Sequence, residues 1–255
     1  MGLRGMQPHT SYFICATPRS GSTLLSEALA RTGLAGRPNE FFCHPRGYGA
    51  SYEGWDISDY RTYIRRVIEA TMTPNGVFGA KMMGGFVWDF VSRVRQIPEF
   101  AAQPGMPLKA MLDELFPNLH HIWVTRRNKV RQAVSWWMST QTNQWTSVEV
   151  VRAEREPVYD FAAIDHNVQE IVMREAALQA YFDEIGVKPF VVVYEDYHDE
   201  PEETALAVLR YLDIPLPPTV QFAERRLRKQ ANELSEAWVQ RYRDEKQQAW
   251  LRRIW

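Results

Sequence analysis

The chain has 255 residues, of which 45% are hydrophobic and 24% charged, with a formal net charge of −1. That length supports one large core or two modest ones, and the near-zero charge excludes a general electrostatic attraction to nucleic acid or anionic membrane, so anion binding must come from placed local groups. Two cysteines, Cys15 and Cys43, are too few for a disulfide framework and are expected as reduced thiols.

The apolar run Tyr12 to Ala16 reads as a buried strand. Thr17-Pro-Arg-Ser-Gly-Ser-Thr-Leu-Leu25 follows directly and leads into a helical stretch, Leu24 to Arg31, whose Leu24, Leu25, Ala28 and Leu29 form one apolar stripe and whose expected stop signal is Gly33. This strand, loop and helix suit a phosphate. Gly21 lets the backbone turn and approach a ligand, Ser20, Ser22 and Thr23 bring hydroxyls beside the free N–H groups of a helix start, and Arg19 adds a charge able to grip an anion at two points. The loop lacks the Gly-Lys step of nucleoside-triphosphatase phosphate loops, which argues against ATP with magnesium.

Helical stretches are then expected over Ile57 to Ala70, Leu108 to Leu115, Lys129 to Met138, His166 to Ile185 and Pro201 to Leu212, the last with Asp199 as its N-cap. Between them, Val77 to Met82, His121 to Thr125 and Phe190 to Tyr194 read as further strands. Such alternation predicts an α/β fold, a parallel β-sheet flanked by helices on both faces, with ligands at the carboxyl ends of the strands. Residues 96–107 and 139–165 break the alternation and are expected as excursions over the sheet edge. No repeat or linker divides the chain, so residues 1–255 are expected to form a single domain. No early signal sequence and no uncharged run of bilayer-spanning length are seen, which predicts a soluble cytoplasmic protein without an integral membrane segment.

A second cationic cluster, Arg126-Arg-Asn-Lys129, opens the helix that carries Arg131, Ser135, Trp136 and Trp137. Arg127 and Ser135 lie eight residues apart, about two helical turns, so one phosphate can touch both; a solvated helix start is the alternative. Lys81 falls at the carboxyl end of its strand and is a candidate for substrate contact, with a surface lysine as the alternative.

Pro18-Arg-Ser-Gly-Ser-Thr23 with Arg127 and Ser135 resembles the sulfotransferases that use 3′-phosphoadenosine 5′-phosphosulfate (PAPS). The match is nearest to the bacterial trehalose 2-sulfotransferase family, through Arg19 to Leu25, Thr32 to Gly36, Pro38-Asn-Glu-Phe-Phe42 and Gly79-Ala-Lys81. The resemblance implies a P-loop-like sulfotransferase fold and transfer of a sulfuryl group from PAPS to a hydroxyl of trehalose or a related sugar or glycolipid, without a metal. It implies Arg19 with Ser20, Gly21, Ser22 and Thr23 at the 5′-phosphosulfate, Arg127 and Ser135 at the 3′-phosphate, and Arg228 to Asn232, including Lys229 and Gln230, with Trp238 as a cover over the nucleotide. It places the general base on Glu40, flanked by Phe41 and Phe42 that would limit water, with His44 as a rival. Tyr52, Glu53 and Trp55 have a composition suited to binding a sugar. A homodimer is implied, and the tryptophans Trp136, Trp137 and Trp145 offer it an interface. The competing functions are a P-loop nucleotide kinase and a noncatalytic protein that binds nucleotides or sulfated glycans.

Overall fold

A computed structural model of the chain describes residues 7–43, 54–146, 156–225 and 233–251. Its strands are β1 (Thr10–Ala16), β2 (Val77–Met83), β3 (Leu119–Thr125) and β4 (Phe190–Val193), paired in parallel in the order β2-β1-β3-β4. The helices are α1 (Ser22–Arg31), α2 (Tyr60–Thr71), α3 (Val87–Arg95), α4 (Pro98–Ala101), α5 (Leu108–Leu115), α6 (Lys129–Thr142), α7 (Phe161–Ile185), α8 (Tyr194–Tyr197), α9 (Pro201–Tyr211) and α10 (Glu233–Leu251).

Alternation along β1 explains the layers. Tyr12, Ile14 and Ala16 turn to one face, where Leu25, Ala28 and Leu29 of α1 and Ala205, Val208 and Leu209 of α9 cover them. Phe13 and Cys15 turn to the other, against Tyr63 and Ile64 of α2, Phe90 of α3, Leu112 of α5 and Tyr181 and Phe182 of α7. With helices on both faces, a central strand has no solvent side, which is why β1 reads as a continuous apolar run. A third cluster joins Ala133 and Val134 of α6, Ile164 and Ile171 of α7, and Trp238, Val239 and Tyr242 of α10. Burial pushes the thiol of Cys15 up, and that of Cys43 up to about 12, so both are inert core groups.

Several boundaries differ from expectation for capping reasons. α2 starts at Tyr60, because the Asp59 side chain accepts the Thr62 N–H at 3.0 Å, and α7 starts at Phe161, where Asp160 accepts the Ala163 N–H at 2.9 Å. Glu200, not Asp199, takes the cap position of α9; no side chain caps that helix, and Pro201 starts it instead. Helix α3 is additional to the expected elements, and its Val87, Phe90, Val91 and Val94 form a buried i, i+3, i+4, i+7 stripe. Residues 96–107 are no simple excursion: α4 drives Ile97 and Phe100 into the core. In 139–165, α6 runs on to Thr142, residues 147–155 lie outside the described residues, and α7 already begins at Phe161.

Candidate active site at the carboxyl ends of the strands

The chain leaves β1 at Ala16 and turns through Thr17 to Gly21 before α1 begins. Two residues in this turn are left-handed, Arg19 with φ 60° and Gly21 with φ 99°. Glycine is required at the second for two reasons. A side chain is strained at that φ, and a Cβ there would strike the Tyr194 ring and stand 2.8 Å from the Tyr197 hydroxyl. That hydroxyl instead donates to the Gly21 carbonyl at 2.7 Å, so α8 clamps the turn from above.

Beside the loop lies a cavity of about 610 Å³. Arg19, Ser22 and Thr23 line one wall, Arg126, Arg131 and Ser135 the next, and Leu234, Ser235, Glu236 and Val239 of α10 a third. Arg19 Nε donates to Ser135 Oγ at 3.0 Å, and its Nη1 donates to the Trp145 carbonyl. The loop arginine and the α6 serine, 116 residues apart, are thus brought together. Ser20 is fully buried and does not face the cavity.

The arginines after β3 divide their tasks. Arg126 lines the cavity with its guanidinium 4.6 Å from the centre of the Tyr194 ring and 3.6 Å from Glu195, and burial lowers its pKa. Arg127 points away: it pairs with Asp196, with 59% of its side chain exposed, and it does not line the cavity. The register decides this. Thr125 pairs with Val193, so the residues following the two strands, Arg126 and Tyr194, meet over the sheet while their neighbours meet outside it. Arg131, which faces the cavity, is held by Glu236 of α10 at 2.5 Å.

On the far side of Thr23 is a shallower depression of about 380 Å³, lined by Ser26, Glu27, Arg37, Asn39 and Lys81 as well as Thr23. Lys81 shares its β2 face with Val77 and Met83 beneath α1, and only 6% of its side chain is exposed. Its Nζ donates to Thr23 Oγ1 at 3.2 Å and to Glu40 Oε1 at 2.7 Å. A buried ammonium needs such partners. Glu40 itself keeps 42% exposure, because Phe41 and Phe42 turn into the core against Phe78 and Phe13 rather than enclosing it. Lys81 also lies two residues short of the strand end.

Trp55 lines neither cavity; it packs against the core with the Arg66 guanidinium 4.3 Å above its ring. Trp136 stacks on Arg174 at 4.7 Å, Trp137 donates to the Val158 carbonyl at 2.9 Å, and Trp238 of α10 is buried against α6 and α7 and does not line the cavity. His44, Tyr52, Glu53, Arg228, Lys229, Gln230 and Asn232 lie outside the described residues. Tyr194 and Tyr197, which shape the loop and the Arg126 site, had no local signal in the sequence. Among the described residues no three His, Cys, Asp or Glu side chains are placed to hold a metal, and no helix is long and apolar enough to cross a membrane.

A parallel sheet with an anion-suited turn after β1, a cationic start to α6 and a cavity between them defines an α/β anion-binding architecture. Residues 11–245 match the model of the Stf0 sulphotransferase family, and the chain belongs to that family. It is 33% identical to a trehalose 2-sulfotransferase of Mycolicibacterium smegmatis, over 93% of this chain and 96% of that protein. A trehalose 2-sulfotransferase of Mycobacterium tuberculosis is 30% identical, over 92% of this chain and 94% of that protein. A crystal structure of a sulfotransferase from Alicyclobacillus acidocaldarius aligns with a TM-score of 0.47 at 13% identity, covering 86% of this chain and 87% of that one.

Proposed function

We propose that the protein transfers a sulfuryl group from PAPS to a carbohydrate hydroxyl, with trehalose or a related sugar or glycolipid as acceptor. The observation that carries this reading is the Thr23–Lys81–Glu40 chain: one buried ammonium bonds both a hydroxyl of the anion loop and a carboxylate suited to be the base. Glu40 is also the ion-pair partner of that buried ammonium, and the 42% of its side chain left exposed is what lets it reach an acceptor hydroxyl. The two curated relatives are both trehalose 2-sulfotransferases, matched over nearly their whole length, which supports a sugar acceptor.

In the proposed reaction the acceptor oxygen forms a bond to sulfur as the bond from sulfur to the 5′-phosphate oxygen breaks. Glu40 takes the hydroxyl proton, and 3′-phosphoadenosine 5′-phosphate leaves. Charge grows on the departing phosphate, so fixed positive groups in the cavity do most of the work. Arg19, the loop N–H groups and the Ser22 and Thr23 hydroxyls serve that phosphate. Arg126 and Arg131, with Ser135, give the 3′-phosphate a cationic seat in the same cavity. Arg127 takes part only if it leaves Asp196. The Leu234 to Val239 wall supports a carboxy-terminal cover over the nucleotide.

The test is transfer of radiolabelled sulfate from PAPS to trehalose, other sugars and glycolipids. Labelled sugar is expected, and Arg19→Ala lowers turnover by about 10²- to 10³-fold, the usual effect of removing one group that stabilises transition-state charge. Tight donor binding without transfer to any carbohydrate or lipid would instead establish a binding protein, and magnesium-dependent phosphate transfer from ATP would establish a kinase.

A further inference from the structure

Gln132, at the end of the first turn of α6, is fully buried. Its Nε2 donates to Thr17 Oγ1 at 2.8 Å and to the Pro18 carbonyl at 2.7 Å. Both amide hydrogens are therefore spent on the loop. The amide has one workable orientation, because a carbonyl only accepts and an oxygen turned toward Pro18 would meet another oxygen. The other end of the group, Oε1, is buried and makes no hydrogen bond. Removing the amide would leave the Pro18 carbonyl without this donor, so the group is committed to the loop.

What the amide holds is the peptide just before Arg19. Arg19 is left-handed at φ 60°, a conformation that costs energy for any residue with a Cβ and persists only when the surroundings impose it. Pro18 cannot donate a hydrogen bond, so the carbonyl is its only backbone handle, and Gln132 takes it. Three residues further along the same face of α6, Ser135 receives the Arg19 side chain at Nε. One helix therefore grips Arg19 at both ends, by the backbone that enters it and by the guanidinium that leaves it.

We propose that Gln132 is a positioning residue that sets the left-handed turn at Arg19 and thereby aims its guanidinium at the sulfuryl donor. This rests on the proposed role of Arg19 at the leaving phosphate. It also links the two anion-suited elements mechanically: a shift of α6 moves the backbone and the side chain of Arg19 together.

The test is a double-mutant cycle of Gln132→Met, which keeps size and removes the amide, with Arg19→Ala, read as kcat/KM for sulfate transfer and as calorimetric affinity for 3′-phosphoadenosine 5′-phosphate. A misdirected catalytic group typically costs far more than its distance suggests, so Gln132→Met is expected to lower kcat/KM at least about tenfold and nucleotide affinity about threefold. With Arg19 already replaced, the same change is expected to cost less than about twofold in either quantity. Equal losses in both backgrounds mean general loosening and overturn the proposal, as does an unchanged kcat/KM. If Gln132→Met melts at the assay temperature, Gln132→Asn, which retains the amide but draws it back by one methylene, runs the same cycle. If the wild type transfers no sulfate, the functional reading fails, and the affinity arm still decides whether Gln132 acts through Arg19.

Discussion

The cavity beside the β1 loop and the depression around Lys81 meet at Thr23, which lines both, yet they are built differently. The first draws on segments that begin where strands end, and its arginines are aimed by partners at short range: Arg19 by Ser135, Arg126 by Glu195 and Tyr194, Arg131 by Glu236. The second depends on one buried ammonium that gathers a helix start, a loop carboxylate and a strand. Recognition of a multiply charged donor tolerates distributed charges, because several guanidinium groups share the load. Proton removal does not, since the base must stand within hydrogen-bond reach of one hydroxyl. Under the proposed function the cavity serves the donor and Glu40 the acceptor, so substitutions should weaken the first gradually and the second abruptly.

The largest effect tests the abrupt side. Glu40→Gln is expected to lower sulfate transfer by about 10²- to 10⁴-fold, the usual share of general base catalysis, and to leave nucleotide affinity within about twofold. Lys81→Met should cost less by itself, and in the Glu40→Gln background only the part it exerts through Thr23 should remain. Full activity in Glu40→Gln would move the base elsewhere and dissolve the contrast.

A smaller effect tests how the donor side shares its charge. Arg126→Ala is expected to weaken nucleotide binding by about 10- to 100-fold, the worth of a charged hydrogen bond in a partly dry site. Arg127→Ala should change it less than about twofold, as befits a largely exposed pair. Calorimetry with 3′-phosphoadenosine 5′-phosphate measures both. If Arg127→Ala is the more damaging, its pair with Asp196 opens when nucleotide binds.

The smallest effect at neutral pH concerns the sheet that carries both regions. Burial, followed by the nearby His120 and Lys109, lowers the pKa of His121 to about 3, and the ring hydrogen-bonds the Tyr181 hydroxyl at 2.9 Å. Its folded value lies below its unfolded value of about 6.5, so the unfolded chain takes up the proton first. The contribution is complete above pH 6.5 and is lost by about 1.4 kcal/mol per pH unit as pH falls toward 3. Urea unfolding at pH 7, 6 and 5 should therefore show a shallower decline in His121→Phe than in the wild type; parallel declines would assign the acid sensitivity to other groups.

Much of this molecule is local and was legible without tertiary structure. The run Tyr12 to Ala16, the Gly21 turn and the Leu24 to Leu29 stripe define β1, the loop and α1, because strand and helix periods and glycine's freedom at positive φ act over a few residues. The same signals placed Leu108–Leu115 without error and found the other three strands, and so the parallel sheet. Helix starts depart from the apolar pattern where a capping aspartate, Asp59 or Asp160, sets the boundary.

The sequence by itself determined which residue types stand at each strand end, and hence a loop suited to phosphate and a nearby cluster of arginines. Only the tertiary structure decided which arginine faces the cavity, since Arg126 and Arg127 are chemically alike and the register of β3 with β4 brings Tyr194 to one and Asp196 to the other. It likewise brought Lys81 to Glu40 and Gln132 to Pro18, contacts that span 41 and 114 residues. The reason is physical: dihedral preferences and side-chain periods decay within a turn or two, whereas the direction of a charged side chain is set by whatever the fold packs beside it.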